Sequence, residues 1–184
     1  MKTKSYKRAV DGCILEIPLW GNFGFAYSKY INGSKHEQLG NLVSILKVYN
    51  KRFDKPLDDL TGLHSIEYLN PGILMAGIRP TVSKGFWKIV GKADISVDDL
   101  KPLMFKKQDV LSGEWKLTIN GEETNSVDND INWDNYEEYV YYASGSIEIR
   151  LTLLFMLIDN IKPDSYLDLE NETIQYHYNS IFKR

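Results

Sequence analysis

Residues 11–31, DGCILEIPLWGNFGFAYSKYI, decide the fold of this chain. Side chains along CILEIPL, at positions 13–19, alternate so that Cys, Leu, Ile and Leu share one side, and this period of two residues predicts a half-buried β-strand. The tripeptide WGN at 20–22 predicts a short turn, because glycine and asparagine tolerate positive φ. Aromatic and small residues then alternate over 23–28. The stretch therefore predicts an N-terminal β-hairpin from which a sheet is built.

The rest of the chain continues as short strands separated by turn residues. Alternating or β-branched runs predict further strands, at positions 42–49, 63–69, 73–78, 86–91, 115–119 and 139–143. Asn-Pro-Gly at 70–72 and Asn-Gly at 120–121 are typical of tight turns. Leu-Met-Phe at 103–105 is interpreted as a small apolar anchor without a strand of its own.

Helices are expected towards the C-terminus. Apolar residues recur on one helical face between about Ile147 and Asn160, although the alternation over its first residues fits a strand almost as well. The tail at 174–182 fits a helix or a strand, and the sequence leaves both open. The predicted class is α+β, with a twisted, mostly antiparallel sheet and one or two C-terminal helices. Whether the sheet curls toward a barrel stays open.

Size and composition predict one globular domain over residues 1–184, since 43% of residues are hydrophobic and 26% are charged. The N-terminal MKTKSYKR lacks the pattern of a signal peptide. The longest apolar run, Leu151–Ile158, is much shorter than the roughly 20 residues of a membrane span. Cys13 has no second cysteine with which to form an internal disulfide. A cytoplasmic protein that does not enter the membrane is expected.

Charge is divided unevenly along the chain. The residues through Lys107 hold 17 Lys and Arg against 10 Asp and Glu, whereas those from Gln108 onward hold 5 against 15. An acidic half argues against general affinity for nucleic acid, because phosphates repel carboxylates. It fits simple solvation, or a surface that meets a basic partner.

Signals for catalysis and cofactors are weak. The glycines are not spaced as a phosphate-binding loop, and the three histidines do not form a zinc-ligand pair. Acidic and amide residues at 128, 130, 132 and 134 resemble the start of a calcium loop, but Trp133 stands where the loop requires glycine. No cofactor or metal is therefore expected, and the preferred interpretation is that the protein is not an enzyme.

Two other functions stay open on the residues alone. A hydrolase would use paired carboxylates such as Glu16 with Asp11, which would have to converge in a concave pocket with a raised pKa. A β domain that binds a small ligand or glycan would need an exposed aromatic platform around Trp20 or Trp133.

Aromatic residues embedded in negative charge form the strongest candidate site. Protein interfaces favour this composition, because aromatic side chains act as anchors and carboxylates steer a cationic partner. The alternative is that the aromatics face the core and the acids face water. We call residues 128–138 the acidic aromatic segment, and its predicted partner-binding residues are Asp128, Asp130, Trp133, Asp134, Tyr136, Glu137 and Glu138.

The order of short motifs, DGCILEIPLWGNFGFAY, LVSILKVYN, GFWKIVG, KPLMFKK and GEWKLTING, resembles the bacterial immunity protein 26 family of polymorphic toxin systems. The matching positions are Gly12, Ile17, Pro18, Leu19, Gly24, Phe25, Ala26, Tyr27, Trp87, Ile89, Gly91, Pro102, Phe105 and Trp115. The resemblance extends through about Gly121 and then fades.

That resemblance implies an α+β protein that binds a cognate toxin in the cytoplasm of the producing cell and blocks it. The matched residues resemble determinants of the fold, so the contact surface is expected in the divergent C-terminal part. A basic toxin, such as one that cleaves nucleic acid, would suit the acidic half of the chain. The oligomeric state is not implied.

Overall fold

A computed structural model of the chain describes residues 8–69, 72–124 and 131–183. Within those ranges the strands are β1 (Cys13–Pro18), β2 (Phe25–Asn32), β3 (Ser44–Val48), β4 (Ile73–Leu74), β5 (Lys88–Lys92), β6 (Met104–Gln108), β7 (Trp115–Ile119), β8 (Glu122–Glu123) and β9 (Glu137–Glu138). The α-helices are α1 (Ile78–Ser83), α2 (Ser144–Ile158) and α3 (Glu172–Phe182). The predicted α+β class is confirmed, including both C-terminal helices.

The strands form two separate sheets, and no closed barrel occurs in the described part of the chain. The first sheet has the order β4-β3-β2-β1-β5 and is antiparallel throughout. The second sheet has the order β8-β7-β6-β9, in which only the β6–β9 pair is parallel.

The predicted N-terminal hairpin is the centre of the first sheet. Its turn places Gly21 at φ 67° and Asn22 at φ 59°, as their residue types indicated. Two family-motif glycines, Gly12 and Gly24, also adopt positive φ (80° and 112°). A Cβ at these positions would collide with the backbone carbonyl oxygens of Ala93 and Phe53, so only glycine fits without distortion.

The prediction that β1 is half-buried is wrong, because the strand is covered on both faces. Cys13, Leu15 and Ile17 pack in the largest core cluster, which also contains side chains of α2 and α3. On the opposite face, Ile14 lies in a second apolar cluster, and Glu16 is buried with two hydrogen-bond partners of its own. A third cluster joins the two sheets through Phe105.

Several local predictions differ from the structure. Residues 63–69, predicted as a strand, begin inside a 3₁₀ turn (Thr61–Ser65) and contribute one isolated bridge, between Tyr68 and Tyr49. The strand predicted at 73–78 is only two residues long; Met75 adds a single bridge to Tyr142, and α1 begins at Ile78. The supposed anchor at 103–105 belongs to a strand, β6. In the segment predicted as a strand at 139–143, only Tyr142 forms a bridge.

Candidate protein-binding surface

The acidic aromatic segment leads into the edge of the second sheet. Asp128 and Asp130 lie outside the described residues, as does part of the sequence that resembled a calcium loop. The segment then forms a 3₁₀ turn at Trp133–Asn135, which contains Asp134, and enters β9. β9 runs parallel to β6, and their register places Glu137 beside Phe105 and Glu138 beside Lys106. Adjacent residues of a strand point to opposite faces, so these two carboxylates have different environments.

Glu137 points to the inner face of the second sheet and pairs with a buried arginine. Its carboxylate contacts Arg150 of α2, whose side chain is only 2% exposed. The same guanidinium donates a hydrogen bond to Ser180 of α3 (3.0 Å) and lies 5.6 Å from the ring centroid of Tyr142. Glu137 therefore connects β9 to both C-terminal helices, a structural role that its sequence context did not indicate.

Glu138 points to the outer face and remains half-buried rather than enclosed. It accepts a hydrogen bond of 3.0 Å from the hydroxyl of Tyr176, an exposed residue of α3. Burial, with Glu138 as a nearby negative charge, raises the pKa of Tyr176. Trp133 and Tyr136 are also half-buried, so part of each aromatic side chain is open to solvent.

The outer face of the second sheet has an apolar centre that sequence reasoning missed. Cross-strand pairs place Met104 opposite Ile119, and Lys106 opposite Leu117, with Trp115 at the end of the face. Met104 and Ile119 are exposed, and the ammonium of Lys106 lies 4.9 Å from the ring centroid of Trp115. The alternation along β6 and β7 was the available signal, but β6 was not predicted as a strand.

Carboxylates stand at both edges of this outer face. Glu138 lies beside Lys106 on the β9 side, and Glu122 pairs with Ile119 on the β8 side. Residues paired directly across strands share a face, so both acids flank the apolar centre. An apolar centre with a charged rim is the usual anatomy of a protein–protein interface.

A polar cluster around Asp99 lies beside a cleft of about 520 Å³, which is lined in part by Lys29 of β2. Asp99 is fully buried and accepts hydrogen bonds from Lys29 Nζ (2.8 Å), Tyr68 OH (2.7 Å) and both the backbone and side chain of Ser96. Burial raises the pKa of Asp99, but these hydrogen bonds outweigh it and leave the pKa below its usual range. Nearby, burial lowers the pKa of Lys47 to about 8.

The residues of the hydrolase hypothesis are not brought together as a pair. Asp11 accepts hydrogen bonds from the backbone of Asn32 and contacts His36 Nε2, both at 2.8 Å. Glu16 instead accepts from Tyr27 OH (2.9 Å) and Lys88 Nζ (3.1 Å). Among the described residues no hydrogen-bond partner is common to both carboxylates, so the structure does not show the convergence that the hypothesis required.

For the ligand-binding hypothesis, Trp20 is exposed and Trp133 is half-buried. No group of three or more His, Cys, Asp or Glu side chains among the described residues could hold a metal ion. No helix in the same part of the chain is both long and apolar enough to cross a bilayer.

The comparison with known families identifies the family to which the chain belongs. The family model described as immunity protein 26 (Imm26) matches residues 10–117. This chain belongs to the immunity protein 26 family. The Imm26 match covers the whole first sheet and ends within β7, so the acidic aromatic segment and both C-terminal helices lie outside it. Comparison with curated proteins gave no match, and comparison with solved structures gave none either.

Proposed function

We propose that this Imm26 protein binds a cognate polymorphic toxin in the cytoplasm of the producing bacterium and neutralises it by occlusion. Membership of the immunity protein 26 family is the observation that carries this proposal. Inhibition by occlusion requires a surface that fits the toxin, and it requires no catalytic group on the inhibitor. The proposal is therefore of a binding protein rather than an enzyme.

The proposed contact surface is the outer face of the second sheet together with the acidic aromatic segment. Its contact residues include Asp128, Asp130, Trp133, Asp134, Tyr136, Glu137 and Glu138, with Glu137 contributing mainly through its support of β9. The apolar centre around Met104 and Ile119 would supply contact area, and the acids would steer the toxin during its approach.

A basic toxin is the partner that this surface favours. The part of the chain from Gln108 onward has ten more acidic than basic residues. Enzymes that cleave nucleic acids need cationic surfaces to hold phosphates. An anionic inhibitor can cover such a surface, which makes a nuclease the toxin class that best fits the proposal.

Charge reversal in the acidic aromatic segment tests this surface. The probe is the C-terminal domain of the toxin that we expect to be encoded beside this gene, and the variant is Asp130→Lys with Asp134→Lys. Glu137 is left unchanged, because its reversal would leave the buried Arg150 unpaired. The matched control is Asp58→Lys with Asp164→Lys, which changes the net charge equally at two exposed carboxylates elsewhere.

At low salt we expect the segment variant to associate about tenfold more slowly than the control, because steering depends on the local field. The difference should nearly vanish in about 1 M salt, where the Debye length is about 3 Å. Equal association rates for the two variants at low salt would remove the segment from the interface. Failure of the wild-type protein to bind the toxin domain at all would contradict the proposed function.

A further inference from the structure

The loop at 109–114, which joins β6 to β7, is held in one conformation by its own hydrogen bonds. The loop closes through the backbone of Asp109, which donates to Glu114 O (2.8 Å) and accepts from Gly113 N (2.9 Å). The Asp109 side chain accepts from the backbone N–H groups of Leu111 and Ser112, each at 2.9 Å. These contacts make the loop a rigid tip of the hairpin.

Two aliphatic side chains stand at this tip with almost no contact to the rest of the protein. Val110 is 94% exposed and Leu111 is 99% exposed, the two highest values among the exposed large hydrophobic residues of the described chain. The backbone beneath them is already ordered, so binding would cost little additional conformational entropy there. Apolar side chains that are already held in place can therefore gain the free energy of burial in a complex without a large ordering cost.

The charges around the tip indicate what kind of partner it fits. Lys116 pairs with Asp109 (2.9 Å), and Lys107 pairs with Glu123 (2.8 Å). Glu114, at the base of the loop, is exposed. Residues 104–124 hold three lysines against four carboxylates, so the hairpin does not offer the excess positive charge that favours an anionic membrane surface.

We infer that the Val110–Leu111 tip is an apolar anchor which inserts into a concave, apolar pocket of the toxin. The inference rests on the proposed function and identifies a contact within it. A convex tip needs a concave counterpart, and the exposed carboxylate of Glu114 at the base of the loop favours a pocket with a cationic group at its rim. The tip extends from β6 and β7, whose outer face forms the apolar centre of the proposed surface, so both could contact one partner.

The test measures binding of the same toxin domain to variants of the full chain. Val110→Ser with Leu111→Ser should weaken binding about 100-fold, because two aliphatic side chains lose their burial in the complex. Val97→Ser should bind as the wild type does and controls for the loss of an exposed valine elsewhere, since Val97 is 85% exposed and lies outside the hairpin. All these side chains are exposed, so thermal stability should stay near that of the wild type.

A further variant loosens the tip without changing its aliphatic side chains. Asp109→Ala removes the acceptor for the Leu111 and Ser112 backbone groups together with the ion pair to Lys116, and Lys116→Ala, which breaks that ion pair but keeps the acceptor, is its control. We expect an intermediate loss, about tenfold, because the loop must then be ordered on binding. Binding as tight as that of the wild type would contradict the role given to preorganisation.

The outcomes distinguish this inference from the proposed function. Wild-type binding with an unweakened Val110/Leu111 double variant would overturn the anchor and leave the proposed function standing. No binding by the wild type would overturn both. Sedimentation of the wild type with vesicles of phosphatidylcholine and phosphatidylglycerol, lost in the double variant, would assign the tip to a membrane and also overturn the inference.

Discussion

The ion pair between Glu137 and Arg150 gives the sharpest test of how the C-terminal helices are attached to the second sheet. Glu137→Gln keeps the shape of the side chain but removes its charge, and it leaves a guanidinium that is 2% exposed without a counter-ion. Removing one partner of a buried pair typically costs about 3–5 kcal/mol, because the remaining charge stays desolvated. In a chain of this size that loss corresponds to a fall in Tm of about 10 °C.

The neighbouring residue provides the control. Glu138→Gln changes the same functional group one position along the strand, but Glu138 is half-buried and accepts from an exposed tyrosine hydroxyl. We expect it to cost about 1 kcal/mol or less. Urea unfolding of both variants measures the difference directly, provided that the m-value stays constant.

A second substitution checks the cause of the loss. Arg150→Met together with Glu137→Gln removes both charges, so much of the stability lost in the single variant should return. A loss of unfolding free energy below about 1 kcal/mol for Glu137→Gln alone would refute the reasoning, because a buried guanidinium without a counter-ion should destabilise the fold by more than that.

Two further predictions concern other buried ionisable groups. Burial, with the positive charge of Arg150 nearby, lowers the pKa of His177 to about 4. Between about pH 6.5 and 4 the unfolded chain therefore binds more protons at this residue than the folded chain does. About 3 kcal/mol of stability should be lost as the pH falls through that range. Urea unfolding at several pH values checks this, and a His177→Gln variant that lost stability as steeply would contradict it. Asp99→Asn should cost about 3 kcal/mol, because the buried ammonium of Lys29 loses its counter-charge. Thermal unfolding compares this variant with Asp98→Asn, which changes an exposed carboxylate and should lower the Tm much less. Equal falls in Tm for the two variants would argue against a buried ion pair.

Local patterns were sufficient where the side chains themselves determine the backbone. Alternation and the WGN turn predicted the β1–β2 hairpin, and Asn120-Gly121 predicted a turn in which both residues have positive φ (53° and 87°). The apolar face from Ile147 predicted α2, which is in fact buried on most sides because α3 and the first sheet both pack on it.

Patterns failed where distant contacts decide the conformation. The run at 63–69 alternates like a strand, but its first residues belong to a 3₁₀ helix that ends at Ser65. Beyond that helix, the Tyr68 hydroxyl donates a hydrogen bond to Asp99. A half-buried β1 would leave the side of Glu16 open to solvent, yet Glu16 is buried and accepts hydrogen bonds from Tyr27 and Lys88. These partners are brought together only by the tertiary fold, so no local period encodes them.

The candidate surface shows the same division. Composition identified the acidic aromatic segment, but it could not distinguish Glu137, which pairs with Arg150, from Glu138, which faces outward. The sequence made no prediction for residues 109–114, and the exposure of Val110 and Leu111 depends on how that loop projects from the sheet. Direction and exposure are properties of the assembled hairpin.

Survival of a bacterial host that expresses the toxin domain, with and without this chain, tests the central claim most directly. We predict growth arrest when the toxin domain is expressed alone and normal growth when the two are expressed together, with both proteins recovered as one complex. Arrest that persists although both proteins accumulate in folded form would contradict the proposal that this Imm26 protein neutralises a cognate toxin.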